Sequence, residues 1–431
     1  MRGITTPGLT AWWMTLVFVT ICVSGCQKDT RQPAHQGGEA TSAFARELDE
    51  LEMQIAALAA RAEAQVTSWT ATEQLALAWM RRGGLSGDLN DYVHAQAALD
   101  EAFRRAPAGA GPFLARAELH FTLHELDRVE PDLLRAERAV LVDVRQCARI
   151  VGLRADVHFQ SGRFAPALAG FRHALELHPS VEAYARLAHY HAATGNVAEA
   201  ERHFAQAEAL LRGASRRRAW LHLQLGLVDL AHGRTRAAMA HYRDAEAHFD
   251  GWWLVEEHMA EIYALHGDEE RARSLYVELV QRTGNPELMG RLAALVPGTE
   301  RARWIDQATR EHRARMQIFE AAALGHALEH FLEFGTDATE AVRLAERNHT
   351  FRPGAQASIQ LAVAYLAAGQ TQRAHVALQP VLHSPFVSAE LYVTAAAIAA
   401  AEGRQTEARA YRVRARALNP RLVDSEVALS P

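Results

Sequence analysis

Residues 191–210 read HAATGNVAEAERHFAQAEAL, and residues 230–249 read LAHGRTRAAMAHYRDAEAHF. Superposed on Gly195 and Gly233, both place an alanine five residues after the glycine (Ala200, Ala238) and an aromatic ring nine after it (Phe204, Tyr242). The triplet recurs as Gly162, Ala167 and Phe171 and as Gly267, Ala272 and Tyr276, and its glycine and alanine recur as Gly369 with Ala374 and Gly403 with Ala408. Gly267, Gly335, Gly369 and Gly403 stand 68, 34 and 34 residues apart, and Gly162, Gly195 and Gly233 continue the series with steps of 33 and 38. The chain therefore repeats with a period of 34 residues.

A unit of this length with one glycine at its centre reads as two antiparallel helices. The glycine ends the first, because a helix terminus needs a residue that tolerates positive φ. The alanine marks the place where the two helices approach too closely for a larger side chain. Prolines close several units, at Pro107, Pro179, Pro353 and Pro420. No such unit buries its apolar face alone, so the units must stack into a quasi-one-dimensional array.

The pattern resembles the tetratricopeptide repeat family, including its small residues, here Ala155, Ala188, Gly226, Ala260 and Ala362, and its aromatic slot, here Tyr263 and Tyr365. The resemblance spans roughly residues 70 to 420. It implies an all-α fold, a right-handed superhelical solenoid of about nine or ten helix pairs, assigned to residues 67–420. Three departures stand out. The insertion GGLSGDLND, residues 83–91, falls between the helices of the first unit. Glu125 stands where the second unit needs its glycine, and Pro297 and Gly298 fall where another first helix should finish.

Ahead of the repeats, residues 43–66 carry Phe44, Leu48, Leu51, Ile55, Leu58 and Ala62 at spacings of four and three, an amphipathic helix that either caps the array or pairs with a second copy. Residues 1–25 read as a secretory leader, with the apolar run AWWMTLVFVTICVSG ending at Gly25. Val23-Ser24-Gly25-Cys26 resembles the bacterial lipobox, which makes Cys26 the expected lipidated first residue of the mature chain. Gln27, rather than Asp, follows it, which by the same resemblance implies the outer membrane, periplasmic face. Residues 26–42 are a polar tether with Pro and Gly, and residues 421–431 a C-terminal tail. Apart from Cys26, only Cys147 remains after processing, so no disulfide within the mature chain can staple the repeats.

Composition excludes whole mechanisms. Lys28 is the only lysine in 431 residues, so no phosphate loop, Schiff base or Ser/Lys dyad can form in the repeat region. A net charge of −5 provides no basic field for a phosphate backbone, and nucleic acid is not an expected partner. No cofactor is implied.

One stretch does match a catalytic pattern. His326-Ala-Leu-Glu329-His330 spells the inverted zinc-peptidase motif H-x-x-E-H. In the register set by Gly335 it lies on a first helix, with Leu324, Ala327, Leu328 and Phe331 on one side and His326, Glu329, His330 and Glu333 on the other. An amphipathic helix has such a polar side without any zinc, and nothing in the sequence reads as the sheet those peptidases require. Metal binding or delivery through these four residues is the alternative to be tested, and a zinc-dependent hydrolase the further one. His189 and His191 point to different faces, and Cys147 reads as a small core residue.

In tetratricopeptide proteins the first helices line a concave groove. Here AWLHLQLGLVDLAH, residues 219–232, is apolar on almost every side. Trp220, Leu223, Leu227 and Leu230 are expected to run along the groove, followed by Glu257 and Glu261 from the next unit, unless a tight superhelical turn covers them. The expectation is a non-enzymatic adaptor or scaffold for periplasmic or outer-membrane proteins, held to the membrane by its lipid.

Overall fold

The computed structural model describes residues 41–138 and 143–421. The leader, Cys26, nearly all of the tether and residues 422–431 lie outside them. Among the described residues there are twenty-one α-helices, from Ala43–Ala64 to Gln405–Leu418, and no strand. None of these helices is long and apolar enough to cross a membrane. After the first helix, the remaining twenty form ten successive hairpins.

The repeat glycines do what their spacing requires. Gly162, Gly195, Gly233, Gly267, Gly369 and Gly403 all adopt φ between 69° and 78°. At such a turn the amides of Gly195 and Asn196 donate to the carbonyls of Ala192 and His191 at 3.2 and 2.8 Å, satisfying the end of the helix Val181–Ala193. Ala167, Ala200, Ala238, Ala272, Ala374 and Ala408 are fully buried, and Phe171, Phe204, Tyr242 and Tyr276 nearly so. Gly226 shows how tight the fit is: a Cβ there would fall inside the ring of Tyr242.

The departures resolve individually. The glycine slot of the second unit is occupied by His124, not Glu125. His124 has φ 60°, the only positive value at a non-glycine among the described residues, and the amides of His124 and Glu125 reproduce the ladder of Gly162 and Arg163. The insertion GGLSGDLND is not a loop. The helix Trp69–Ser86 runs through its first half, Gly87 ends that helix at φ 75°, and the Asp88 carboxylate caps Leu89–Arg105. Pro297 and Gly298 divide their unit unevenly, giving a short helix Pro286–Ala294 and a long one Gly298–Ile318. Gly335 keeps an extended backbone (φ −71°), and Asp337 caps the next helix by accepting from the Thr339 amide at 2.8 Å.

The array winds back on itself. Asp250 O accepts from the Phe44 amide at 3.2 Å, Leu85 O from Trp253 Nε1 at 3.1 Å, Ala193 O from the Val387 amide at 2.9 Å, and Ala231 O from Asn419 Nδ2 at 3.2 Å. Each bond joins residues about 170 to 210 positions apart, or about five to six units of the 34-residue period. Small residues make room for these crossings. A Cβ on Gly354 would overlap the carbonyl oxygen of Gln160. The first helix joins the same packing: Phe44 meets Phe249 edge-on at 6.3 Å, and Leu51, Ile55 and Ala62 are buried. Its apolar seam is thus consumed within the chain.

Candidate functional site

Winding turns the open groove into a chamber. A cavity of about 450 Å3 runs along the inside of the superhelix, lined from the first unit, at Tyr92, to the last, at Leu418. First helices supply the carboxylates and Arg291, and Arg315 and Arg352 reach the same space from the second helices of their units. Five carboxylates (Glu257, Glu261, Glu287, Glu329, Glu390) and three guanidinium groups (Arg291, Arg315, Arg352) share the wall with Trp252, Trp253 and Phe386.

The charges are arranged as an interleaved network. His258 Nδ1 lies 3.1 Å from Glu261 Oε2. Burial opposes a charge on His258, but that hydrogen bond and the nearby carboxylates of Glu257 and Glu261 win, and its pKa is raised. Glu257 is itself pushed up by burial, against the pull of His258. Glu287 lies 3.3 Å from His326 Nδ1 and 3.9 Å from Arg315. Burial alone would raise its pKa, yet His326, Arg315 and His312 hold it at about 2. Arg352 stands apart from these pairs. Burial lowers it to about 10 despite the charge of Glu329, its only side-chain hydrogen bond goes to Asn348 Oδ1 at 2.9 Å, and its Nε has no partner. His124 Nδ1 and Trp252 Nε1, also in the wall, lack partners too.

The residues singled out from the sequence divide between wall and core. Glu257, Glu261, His326 and Glu329 line the chamber, as does Leu227. Trp220, Leu223 and Leu230 do not line it; Leu223 and Leu230 are fully buried, and Trp220 and Leu227 are only 6% and 5% exposed. The expectation of a free apolar stripe is corrected: the helix Arg216–Ala231 has packed units on both sides, and Asn419 from the following turn closes its C-terminal end.

The polar side of the H-x-x-E-H helix is not a solvated face either. Glu329 accepts from Gln360 Nε2 at 2.9 Å. His330 is buried, with Nε2 2.7 Å from Thr309 Oγ1 and its ring 4.9 Å from that of His312. Glu333 turns towards Arg291 and Arg301. The four side chains engage four different neighbours, and none belongs to a His and carboxylate group close enough to share an ion among the described residues. Arg352, His124 and Trp252 were not identified as site residues from the sequence. Nothing in a single unit marks them, because the chamber exists only once distant units face each other.

The hairpin geometry, the glycine turns and the buried alanines fix the architecture. The chain is an all-α solenoid of tetratricopeptide-like helix pairs. No family model matches its sequence, and no curated protein does. Among solved structures it is similar to a tetratricopeptide repeat protein from Parabacteroides merdae ATCC 43184, at 17% identity over 57% of this chain and 98% of that one, with a TM-score of 0.35. The human IFIT1 dimer with m7Gppp-AAAA matches at 18% identity over 86% of this chain and 81% of that one, TM-score 0.36. The Cut9-Hcn1 structure of the APC/C matches at 15% over 84% and 76%, TM-score 0.40. The solenoid is defined by the ten helix pairs of this chain itself.

Proposed function

We propose that this chain is a periplasmic adaptor, anchored to the outer membrane through acylated Cys26, which captures a short segment of an envelope protein inside its superhelix. The observation that carries the reading is the chamber, whose wall combines indole and phenyl surface with carboxylate and guanidinium groups brought together from separate units. A concave apolar wall with a few convergent polar groups suits a bound segment.

The anchor is supported by the leader and the four-residue box before Cys26. Acyl chains contribute about 0.8 kcal/mol per buried methylene, enough to hold a soluble repeat domain at a bilayer. The test is capture from solubilised envelope with wild type, Arg352→Met and Glu261→Gln, alongside Cys26→Ser. A partner retained by wild type and lost by either chamber variant supports the reading; equal capture by all three refutes the chamber site. Cys26→Ser should abolish acyl labelling and release the protein from membranes, and unchanged fractionation would refute the anchor.

A further inference from the structure

We propose that His222, His241 and Asp244 form a binding site for a divalent transition metal ion, with zinc the best fit. His222 belongs to the helix Arg216–Ala231, and His241 and Asp244 to its hairpin partner Thr235–His248. Their ligand atoms all lie within 4.8 Å of one another. None of the three lines the chamber, so the site is independent of the adaptor reading.

The geometry is that of a built site. His222 Nδ1 and His241 Nδ1 are 3.4 Å apart. Two nitrogens each about 2.05 Å from one zinc ion at a tetrahedral angle stand about 3.4 Å apart. Asp244 Oδ2 is 3.9 Å from His222 Nδ1, and its side chain is 60% exposed, so a small rotation brings it to the ion. The second ring nitrogen of each histidine faces a carboxylate: Glu208 Oε1 at 3.5 Å from His222 Nε2, and Asp229 Oδ2 at 3.6 Å from His241 Nε2. Without an ion, one Nδ1–H can donate to the other Nδ1; with the proton of each ring on Nε2, facing its acid, both Nδ1 lone pairs become available to one cation, and carboxylate–histidine–metal relays are how proteins orient such ligands. Arg218 and Arg234 in turn hold Glu208 and Asp229 at 2.6 and 2.7 Å. The His248 ring, 5.5 Å from that of His222, stands beside the fourth position.

The neighbouring group His191, Glu199 and His203 lacks this construction. Glu199 is hydrogen-bonded to Arg202, and His203 Nδ1 to Gln206, so its donors are already engaged. Imidazole with one carboxylate at tetrahedral spacing selects zinc over magnesium or calcium.

The experiment uses tag-free, chelator-treated protein titrated with Zn2+ against a competing indicator, and with Co2+ followed in the visible spectrum. Expected are one ion per chain at micromolar concentration and the intense d–d bands of tetrahedral Co2+. Asp244→Ala, at an exposed position that leaves folding intact, and His241→Ala should each weaken binding at least about 10-fold, and Asp229→Asn about 10- to 100-fold. His375→Ala, in a distant unit, should change nothing. The proposal is overturned by no saturable binding, by a six-coordinate Co2+ spectrum, or by binding lost in His203→Ala and kept in Asp244→Ala.

Discussion

His124 concentrates the residue-scale argument. It holds a left-handed backbone, its pKa is pushed well down by burial, and its Nδ1 lacks a partner. A left-handed conformation costs a residue with a Cβ about 1 to 2 kcal/mol, which glycine does not incur. Because the side chain borders the chamber, its removal opens no sealed core cavity. His124→Gly is therefore expected to raise stability by about 1 kcal/mol in urea titration, and a loss of stability would show that the imidazole holds the wall together. The other buried histidines set the pH response. His189, His312 and His330 are lowered to about 4, 3 and 4, in each case first by burial. An unfolded histidine titrates near 6.5, so between that value and the folded pKa the unfolded chain binds protons that the native chain refuses. Their stabilising contribution is complete above about pH 6.5 and falls as pH drops, by roughly 2 kcal/mol per histidine at pH 5. The raised pKa of His258 works in the opposite sense, as does Glu73, pushed up to about 7 by burial, so the net decline is smaller than the histidines alone would give; Glu287 adds a loss only between its ordinary value near 4.5 and about 2. A melting temperature that declines steadily from pH 7 to 5, with a shallower decline in His189→Leu, is the expected record; a flat profile would contradict the assignment of neutral buried rings.

At the scale of the element, the hairpin was legible because its decisive residues recur in six of the ten units. Glycine at the turn and alanine five residues later are local requirements, and in these six the glycine has positive φ and the alanine is fully buried, whereas Gly335 keeps an extended backbone. Misreadings arose where one unit solved the same problem with different residues. Glu125 was aligned to the glycine slot that His124 fills, and GGLSGDLND was placed between two helices although Gly83 and Gly84 continue the first of them. Gly226 gives the sharpest test of hairpin packing. Its absent Cβ is the space taken by the Tyr242 ring, so Gly226→Ala must push the helices apart. Overpacking of this kind costs about 1 to 3 kcal/mol. Gly226 sits inside the helix Arg216–Ala231 and is not among the positive-φ glycines, so the substitution adds no backbone strain. A variant as stable as wild type in urea titration would show that the ring yields and that the fit is not tight.

For the whole molecule, the winding decides what the sequence could not show. Periodicity describes a unit and its neighbours, whereas the contacts that close the chamber join residues about 170 to 210 positions apart and carry no periodic mark. The inward residues Glu257, Glu261 and Glu329 were legible from helix register, but Arg352 and His124 reach the same space only through the next turn. The apolar stripe at Trp220 was misplaced for the same reason. Gly354→Val, which forces a side chain against Gln160, is expected to loosen adjacent turns and raise the radius of gyration in small-angle scattering while helicity stays constant. An unchanged radius would mean that the turns are not held by this contact. The most direct measurement of the adaptor claim places a photoreactive amino acid at Gln356, in the chamber wall, and at Val376, which is 61% exposed on a second helix. Irradiation in intact cells should give a discrete adduct with an envelope protein from position 356 and none from 376; adducts from 376 alone, or none from either, would contradict capture inside the superhelix.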